Sequence, residues 1–225
     1  MLCSLVTRAT ALTLAAGFSA EQAIASPEPV SPTVFGEVYR TNKGSLLIAK
    51  PAGPDGIATT GFLLGAEGEI LIGADRPPLG EFGVVLDEEL TFTAKLLRHD
   101  AELGLAVAKL VGVEARSLPR LPLRAAKKRG LGSQTWTVVI THGANGSSEP
   151  FAGIVEAPPA IRGRKAWKKK GALIANVAAP GRVGSPVLSA RGELVGVVVG
   201  PGKRRVEVVS LKSLLPFLRE AVLGQ

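Results

Sequence analysis

Sulfur and histidine are scarce in this sequence, which has one Cys, one Met and two His among 225 residues. Cys3 and Met1 both precede residue 26, so the chain beyond that point can form neither an internal disulfide nor a thiolate metal site. Two His with scattered carboxylates make a poor set of metal ligands. We therefore expect no metal and no cofactor.

Long apolar runs are also lacking after the first 25 residues, since none reaches the roughly 18 residues that a membrane-spanning helix requires. The composition is 46% hydrophobic and 20% charged, which is too apolar for a disordered chain. The 27 Gly and 16 Pro indicate many turns rather than long helices. One all-β domain can use this whole length.

The N-terminus is typical of an export signal. Arg8 precedes a mostly small and apolar stretch from Ala9 to Ala20, and Ala23-Ile24-Ala25 gives an A-x-A cleavage site before Ser26. The alternative is an ordinary buried helix, which the prolines at 27, 29 and 32 disfavour. We expect a signal peptide over 1–25, a Pro-rich lead-in over 26–33, and a location in a bacterial periplasm or outside the cell.

Charge is distributed unevenly along the chain. Residues 26–112 carry 7 Lys/Arg and 12 Asp/Glu, a net charge of −5, whereas residues 113–225 carry 19 and 6, a net charge of +13. This division suggests two structural halves. The densest basic run surrounds one tryptophan and consists of Arg162, Arg164, Lys165, Trp167, Lys168, Lys169 and Lys170. Such a run fits an anionic polymer or an anionic membrane surface, and the alternative is a solvated loop.

Short apolar runs separated by turns predict a β-sandwich or barrel. The predicted strands are 45–49, 60–64, 69–72, 82–86, 91–97, 105–110, 136–140, 153–157, 173–177, 186–188, 193–199 and 206–209. Only the end of the chain predicts a helix, from Ser210 to Leu223, because apolar residues recur there at steps of three and four. Ser210 can cap the start of that helix.

A short internal repeat links the two halves. The run Leu64-Gly-Ala-Glu-Gly-Glu-Ile70 is similar to Leu188-Ser-Ala-Arg-Gly-Glu-Leu194, and both predict a strand, a tight turn and a second strand. The repeat suggests two related barrels side by side, and chance similarity between two hairpins is the alternative.

Four segments, in order, resemble trypsin-like serine proteases of the bacterial high-temperature-requirement (Deg) branch. They are Thr60 to Ala74, His99 to Lys109, Gly153 to Ala157, and Gly181 to Leu188 followed by Gly192 to Gly196. The resemblance extends from about residue 34 to the end of the chain and implies an all-β fold of two antiparallel six-stranded β-barrels with a C-terminal α-helix. It divides a domain over 34–225 into barrel one at about 34–112, a connector at 113–129, barrel two at about 130–209 and a helix at about 210–223.

The catalytic positions depart from the family's pattern. Active relatives cleave peptides between the barrels with a Ser nucleophile, a His base and an Asp that orients the His. In this sequence the His position falls on Asp75, the Asp position on Gly104 and the Ser position on Val183. An isopropyl group cannot attack a carbonyl, a carboxylate is a poor base for a Ser hydroxyl, and Gly has no side chain to orient another group. The resemblance therefore implies an empty triad.

The loop around the nucleophile position is altered as well. Gly181-Arg182-Val183-Gly184 corresponds to the family's oxyanion loop, and Ser185 stands where relatives have a second glycine. A Ser185–His142 pair could relocate catalysis, although a Ser before Pro186 and a His before Gly143 also suit a strand start and a turn. His99 with Asp100 is interpreted as an ordinary pair at a strand edge.

The leading hypothesis is an exported, catalytically inactive trypsin-like protein, a pseudoprotease. It would bind a peptide or protein in the cleft between the barrels, or an anionic partner on the basic second half. The alternatives are an active serine endopeptidase with a misaligned or relocated site, and a polyanion or envelope-surface binding protein that uses a protease scaffold.

Overall fold

A computed structural model describes residues 30–50, 58–76, 80–87, 89–121, 135–143, 146–156, 172–177, 182–200 and 205–223. In these ranges the strands are β1 (Leu46–Lys50), β2 (Thr59–Leu63), β3 (Glu69–Gly73), β4 (Glu81–Leu86), β5 (Leu90–Asp100), β6 (Leu105–Leu110), β7 (Thr135–His142), β8 (Ser148–Glu156), β9 (Ala172–Val177), β10 (Pro186–Ser189), β11 (Leu194–Gly200) and β12 (Arg205–Ser210). The helices are α1 (Pro32–Asn42) and α2 (Leu211–Leu223), with turns of 3-10 helix at Lys43–Ser45 and Ala115–Ser117. The predicted signal peptide and the basic run 162–170 lie outside the described residues.

The strands form two antiparallel sheets, one in each half of the chain. The first is a closed barrel in the order β1-β2-β3-β6-β5-β4, in which β4 pairs back onto β1. The second has the order β10-β11-β12-β9-β8-β7, and β10 also pairs with β7. Adding six to each strand number of the first sheet therefore gives the neighbouring pairs of the second sheet. For example, the pair β1–β2 corresponds to the pair β7–β8. The two halves share one connectivity.

Each predicted strand overlaps an observed one, and the mostly β class is confirmed. The largest difference is β8, which begins at Ser148 rather than at Gly153. Pro150 lies within its first residues and pairs with Ile140 on β7. Proline cannot donate a hydrogen bond to a ladder, so it is uncommon inside a strand.

Helix α1 shows that the prediction of a single helix, at the C-terminus, is wrong. Pro32 occupies the first helical turn, and the side chain of Ser31 accepts a hydrogen bond from the backbone N–H of Thr33 at 3.3 Å. Proline suits this position because its fixed φ is helical and the missing N–H would have no partner in the first turn. Pro32, which the sequence pattern predicts to disfavour a helix, therefore begins one.

Although α1 precedes the first barrel in sequence, it packs against β7 and β8 of the second sheet. The hydroxyl of Tyr39 donates to the carbonyl oxygen of Ser148 at 2.8 Å. The rings of Phe35 and Trp136 lie 5.8 Å apart, centre to centre. The start of the described chain therefore covers the C-terminal half of the molecule.

Helix α2 has the predicted apolar face, with Leu211, Leu214 and Leu218 buried. Its predicted cap is confirmed, because the N–H of Ser213 donates to Oγ of Ser210 at 3.3 Å. The largest core cluster joins these leucines to residues of both sheets and to Val38 of α1. No helix in the described ranges is both long enough and apolar enough to cross a membrane.

The two repeated hairpins have the same turn but different places in the fold. In each, the N–H of the last turn glycine donates to the carbonyl three residues earlier, Gly68 to Gly65 at 3.5 Å and Gly192 to Ser189 at 2.9 Å. The first hairpin joins β2 to β3 and the second joins β10 to β11. By the shared connectivity of the two sheets, the hairpin β2–β3 corresponds to β8–β9 and not to β10–β11. The sequence repeat therefore marks the same type of turn at two unrelated places, and the two halves are related by their strand order instead.

Candidate functional site

Three positions that are distant in sequence meet between the two sheets. Asp75 follows the end of β3, Gly104 ends the turn between β5 and β6, and Val183 lies in the loop before β10. A Cβ atom built on Gly104 would lie 3.4 Å from Oδ1 of Asp75 and 3.9 Å from Cγ1 of Val183. The structure therefore brings together the three residues to which the family motifs assign the catalytic positions.

Backbone hydrogen bonds hold Asp75 against this turn. The N–H of Ala74 donates to the carbonyl oxygen of Gly104 at 2.7 Å. The ring of His99 contributes as well, because its Nε2 lies 2.8 Å from the carbonyl oxygen of Ala74. A carbonyl oxygen can only accept, so Nε2 of His99 carries the proton. His99 therefore helps to position the backbone next to Asp75, a role that sequence reasoning missed.

The turn that presents Gly104 is fixed by Asp100. Its Oδ1 accepts hydrogen bonds from the backbone N–H groups of Glu102 and Leu103, each at 3.0 Å. This is the usual way in which an Asp side chain stabilises a turn. The predicted strand-edge residues His99 and Asp100 thus contact the site from two sides, His99 through Ala74 and Asp100 through the turn.

The loop before β10 docks closely on the first barrel at two glycines. A Cβ atom on Gly73 would meet the carbonyl group of Val183, with the carbon 2.6 Å away. A Cβ atom on Gly184 would lie 2.9 Å from Cα of Gly73 and would also collide with the carbonyl oxygen of Thr60. Real Cβ contacts are longer than this, so both positions require glycine for the loop to approach.

Further bonds tie the loop to the second sheet. The N–H of Arg182 donates to Oγ1 of Thr141 at 3.3 Å, and its guanidinium donates to the carbonyl oxygen of Gly143 at 3.2 Å. The N–H of Gly184 donates to the carbonyl oxygen of Val198 at 2.9 Å. Gly181, the first residue of the predicted oxyanion loop, lies outside the described residues.

The alternative pair Ser185 and His142 is not joined. Ser185 is completely buried, and its Oγ has no hydrogen-bond partner in the described part of the chain. His142 ends β7 and is 3% exposed. Since Ser185 has no bond to an imidazole and no access to solvent, this geometry does not present it as a nucleophile.

Acidic and histidine side chains do not form a metal centre in the ranges that the structure describes, where no group of three or more His, Cys, Asp or Glu could hold an ion. Asp75 is exposed, whereas Gly104 and Val183 are half-buried. The site thus consists of the carboxylate of Asp75, the backbone of Gly104 and the isopropyl group of Val183. Asp75 is the member of the site that is exposed to solvent.

Comparison with known proteins identifies the class. The family model for the trypsin-like peptidase domain matches residues 52–197, more than half of the chain. The chain therefore belongs to the trypsin-like peptidase domain family. No curated protein sequence matches it.

Two solved structures share its fold. The serine endoprotease from Yersinia pestis superposes with a TM-score of 0.70 at 16% identity, over 87% of this chain and 68% of that one. The HtrA-type protease AlgW, solved with a tripeptide, superposes with a TM-score of 0.68 at 18% identity, over 85% of this chain and 64% of that one. This chain thus spans about two thirds of their length. The resemblance to the high-temperature-requirement branch is confirmed at the level of the fold.

Proposed function

We propose that this chain is an exported trypsin-like protein without peptidase activity, a pseudoprotease that binds a peptide or protein between its two halves. One observation carries the proposal: Asp75, Gly104 and Val183 converge on one point. They do so in a family whose motifs assign His, Asp and Ser to those positions. Convergence supports the motif alignment, because a misaligned motif would have no reason to bring all three positions together.

The chemistry of these side chains excludes the usual mechanism. Peptide cleavage in this family needs a hydroxyl nucleophile, an imidazole that takes its proton and a carboxylate that orients the imidazole. Val183 supplies no nucleophile, and Gly104 supplies no orienting group. The carboxylate of Asp75 has no hydroxyl to activate. Loss of the triad leaves at most roughly 10³–10⁴-fold acceleration over water, from positioning and the oxyanion hole.

In this proposal the chain keeps the fold that surrounds the three triad positions, although the catalytic side chains are absent. We take the second sheet to be the second barrel of the fold, since β10 pairs with both β11 and β7. The loop from Arg182 to Ser185 remains docked on the first barrel through Gly73 and Gly184. A retained cleft without catalytic groups is suited to binding. The tripeptide in the HtrA-type protease AlgW supports a peptide as the class of partner.

The competing function is an active serine endopeptidase, and a fluorophosphonate probe separates the two because it labels only activated serines. We expect no labelling and no hydrolysis of casein or small esters above background. The control is an active HtrA-type protease treated in parallel. Stoichiometric labelling at Ser185, abolished by Ser185→Ala, would overturn the proposal and establish relocated catalysis.

Export is the second part of the proposal. Its support is the charged start, the apolar stretch and the A-x-A site within the first 25 residues. The chain has no cysteine after residue 25, so its fold depends on no thiol in any compartment. A periplasmic or secreted location is compatible with that composition. A partner with negative charge, attracted by the +13 of residues 113–225, is compatible with the same location.

A further inference from the structure

A groove lies between helix α1 and the turn that joins β10 to β11. One wall is the face of α1 that carries Val34, Val38 and Thr41, which recur at steps of four and three. The opposite wall is the turn at residues 190–192. The volume of the groove is about 300 Å³, at the lower end of the roughly 300–1,000 Å³ of small-molecule sites. Its size therefore suits a small ligand rather than a long peptide.

Two exposed side chains of opposite charge lie on the two walls, Glu37 on α1 and Arg191 in the turn. They do not pair with each other, and neither takes part in the ion pairs that the described ranges contain. Both charges are therefore available to a ligand that lies in the groove. Such a ligand would carry a positive group at one end and a negative group at the other.

A buried amide lies where the two walls meet. Asn42 lines the groove and is only 7% exposed, and its Nδ2 donates to the carbonyl oxygen of Val38 at 2.7 Å. The turn is close to this amide, since a Cβ atom on Gly192 would lie 3.2 Å from Nδ2. Within the described ranges no residue donates a hydrogen bond to Oδ1 of Asn42. Polar atoms of buried side chains are rarely left without a partner, so Oδ1 marks a place for an N–H group of a ligand.

We propose that this groove binds a small zwitterion, an amino acid or a dipeptide with a free ammonium and a free carboxylate. Arg191 binds the carboxylate, because a planar guanidinium can donate two parallel N–H bonds to such a group. Glu37 binds the ammonium, and Oδ1 of Asn42 accepts a hydrogen bond from the ligand. The half-buried Val34 contacts the aliphatic part between the two charges.

This site is separate from the triad positions, because Asp75, Gly104 and Val183 do not line the groove. The proposal therefore goes beyond the proposed function and does not depend on it. A chain with an active or an inactive triad could bind the same ligand between α1 and the turn.

Titration of alanylalanine into the full ¹⁵N-labelled chain tests the site. We expect saturable shifts of the amide resonances of Glu37, Asn42, Arg191 and Gly192. The N-acetylated dipeptide lacks the ammonium and the dipeptide amide lacks the carboxylate, so each should bind more weakly than alanylalanine. Free alanine is titrated in parallel. Tighter binding of alanine identifies an amino acid as the ligand, and tighter binding of alanylalanine identifies a dipeptide.

Removal of each charge tests which wall binds which end of the ligand. Arg191→Gln should weaken alanylalanine binding about two- to fivefold, as expected for an exposed ion pair, and should bind the dipeptide and its amide equally. Glu37→Gln should weaken binding by a similar factor and should no longer distinguish the dipeptide from its acetylated form. Arg40→Gln is the matched control, because Arg40 is exposed on the same helix and does not line the groove. The control should bind like the parent.

The results separate this site from the proposed function. Saturable shifts that weaken in both charge variants and persist in Arg40→Gln support the site. It is overturned if neither zwitterion gives a saturable shift, or if the acetylated dipeptide and the amide bind as tightly as alanylalanine. Unchanged affinity in both charge variants also overturns it, because the ligand would then bind elsewhere. None of these outcomes affects the pseudoprotease proposal, which is tested by probe labelling and hydrolysis.

Discussion

Arg98 and Glu220 join the two halves of the molecule, with Nη2 of Arg98 2.6 Å from Oε2 of Glu220. Arg98 lies on β5 of the first barrel and Glu220 on α2, which otherwise packs on β11 and β12. The guanidinium also lies 5.7 Å from the ring centre of Phe217. The C-terminal helix therefore also contacts the N-terminal half of the chain.

This ion pair should contribute little to stability, because its side chains are 44% and 59% exposed. We expect Glu220→Gln to lower the free energy of unfolding by at most about 0.5 kcal/mol. Phe217→Ala should lower it by about 3 kcal/mol, since Phe217 is buried in the core cluster that spans both halves. Urea denaturation of both variants, with Arg219→Gln as the exposed control on the same helix, measures the difference. A larger loss in Glu220→Gln than in Phe217→Ala would contradict this ranking.

Gly73→Ala should be strongly destabilising, because the new methyl group would meet the carbonyl group of Val183. We expect a loss of about 3 kcal/mol, as for overpacked cores. Gly83→Ala is the control, since a Cβ on that strand glycine meets nothing within 4 Å. It should change the unfolding free energy by less than about 0.5 kcal/mol. Equal effects in the two variants would mean that the loop does not dock on Gly73.

Restoring the three catalytic side chains tests whether positions 75, 104 and 183 are the triad positions of the fold. The triple variant Asp75→His, Gly104→Asp, Val183→Ser should react with a fluorophosphonate probe at position 183. Gly104 has a φ of +62°, a region that Asp tolerates better than most residues, so the variant should fold with a loss of about 1 kcal/mol. The double variant that keeps Val183 is the control and should not react. A folded triple variant that reacts no faster than this control would contradict the triad assignment.

The basic run should bind polyanions by charge. We expect the parent protein to be retained on heparin or on anionic vesicles and released by moderate salt. Changing Arg164, Lys165, Lys168, Lys169 and Lys170 to Gln should abolish most of the retention with little change in thermal stability. Trp167→Ala should weaken binding further only if the indole stacks on the ligand. Elution of the Gln variant at the parent's salt concentration would show that the run is a solvated loop.

Processing of the N-terminus can be measured directly. We expect the mature chain to begin at Ser26 after expression in a bacterium with a general secretion system. Replacing Ala25 with a bulky residue, as in Ala25→Trp, should block cleavage and leave a longer precursor, whereas Gln22→Trp leaves the A-x-A residues unchanged. N-terminal sequencing that finds Met1 on the cytoplasmic protein would contradict the export proposal.

Much of the site could be inferred from motif order alone. Asp75, Gly104 and Val183 were assigned by resemblance, and the structure brings them together. The role of His99 could not be inferred, because its partner Ala74 is 25 residues away and contributes only a backbone carbonyl. The docking of Gly73 on Val183 could not be inferred for the same reason, since a contact between backbone atoms does not affect the pattern of side chains in the sequence.

Sequence by itself determined the strands and α2, because period-two and period-3.6 apolar patterns and turn glycines act over a few residues. It also determined the chemistry that the site lacks, since no fold can make a nucleophile of Val183. Only the tertiary structure decided that α1 covers the second sheet, that β10 pairs with β7, and that Asp75 lies beside Gly104 and Val183. These features depend on which distant surfaces pack together, and packing is a property of the whole chain rather than of any one segment.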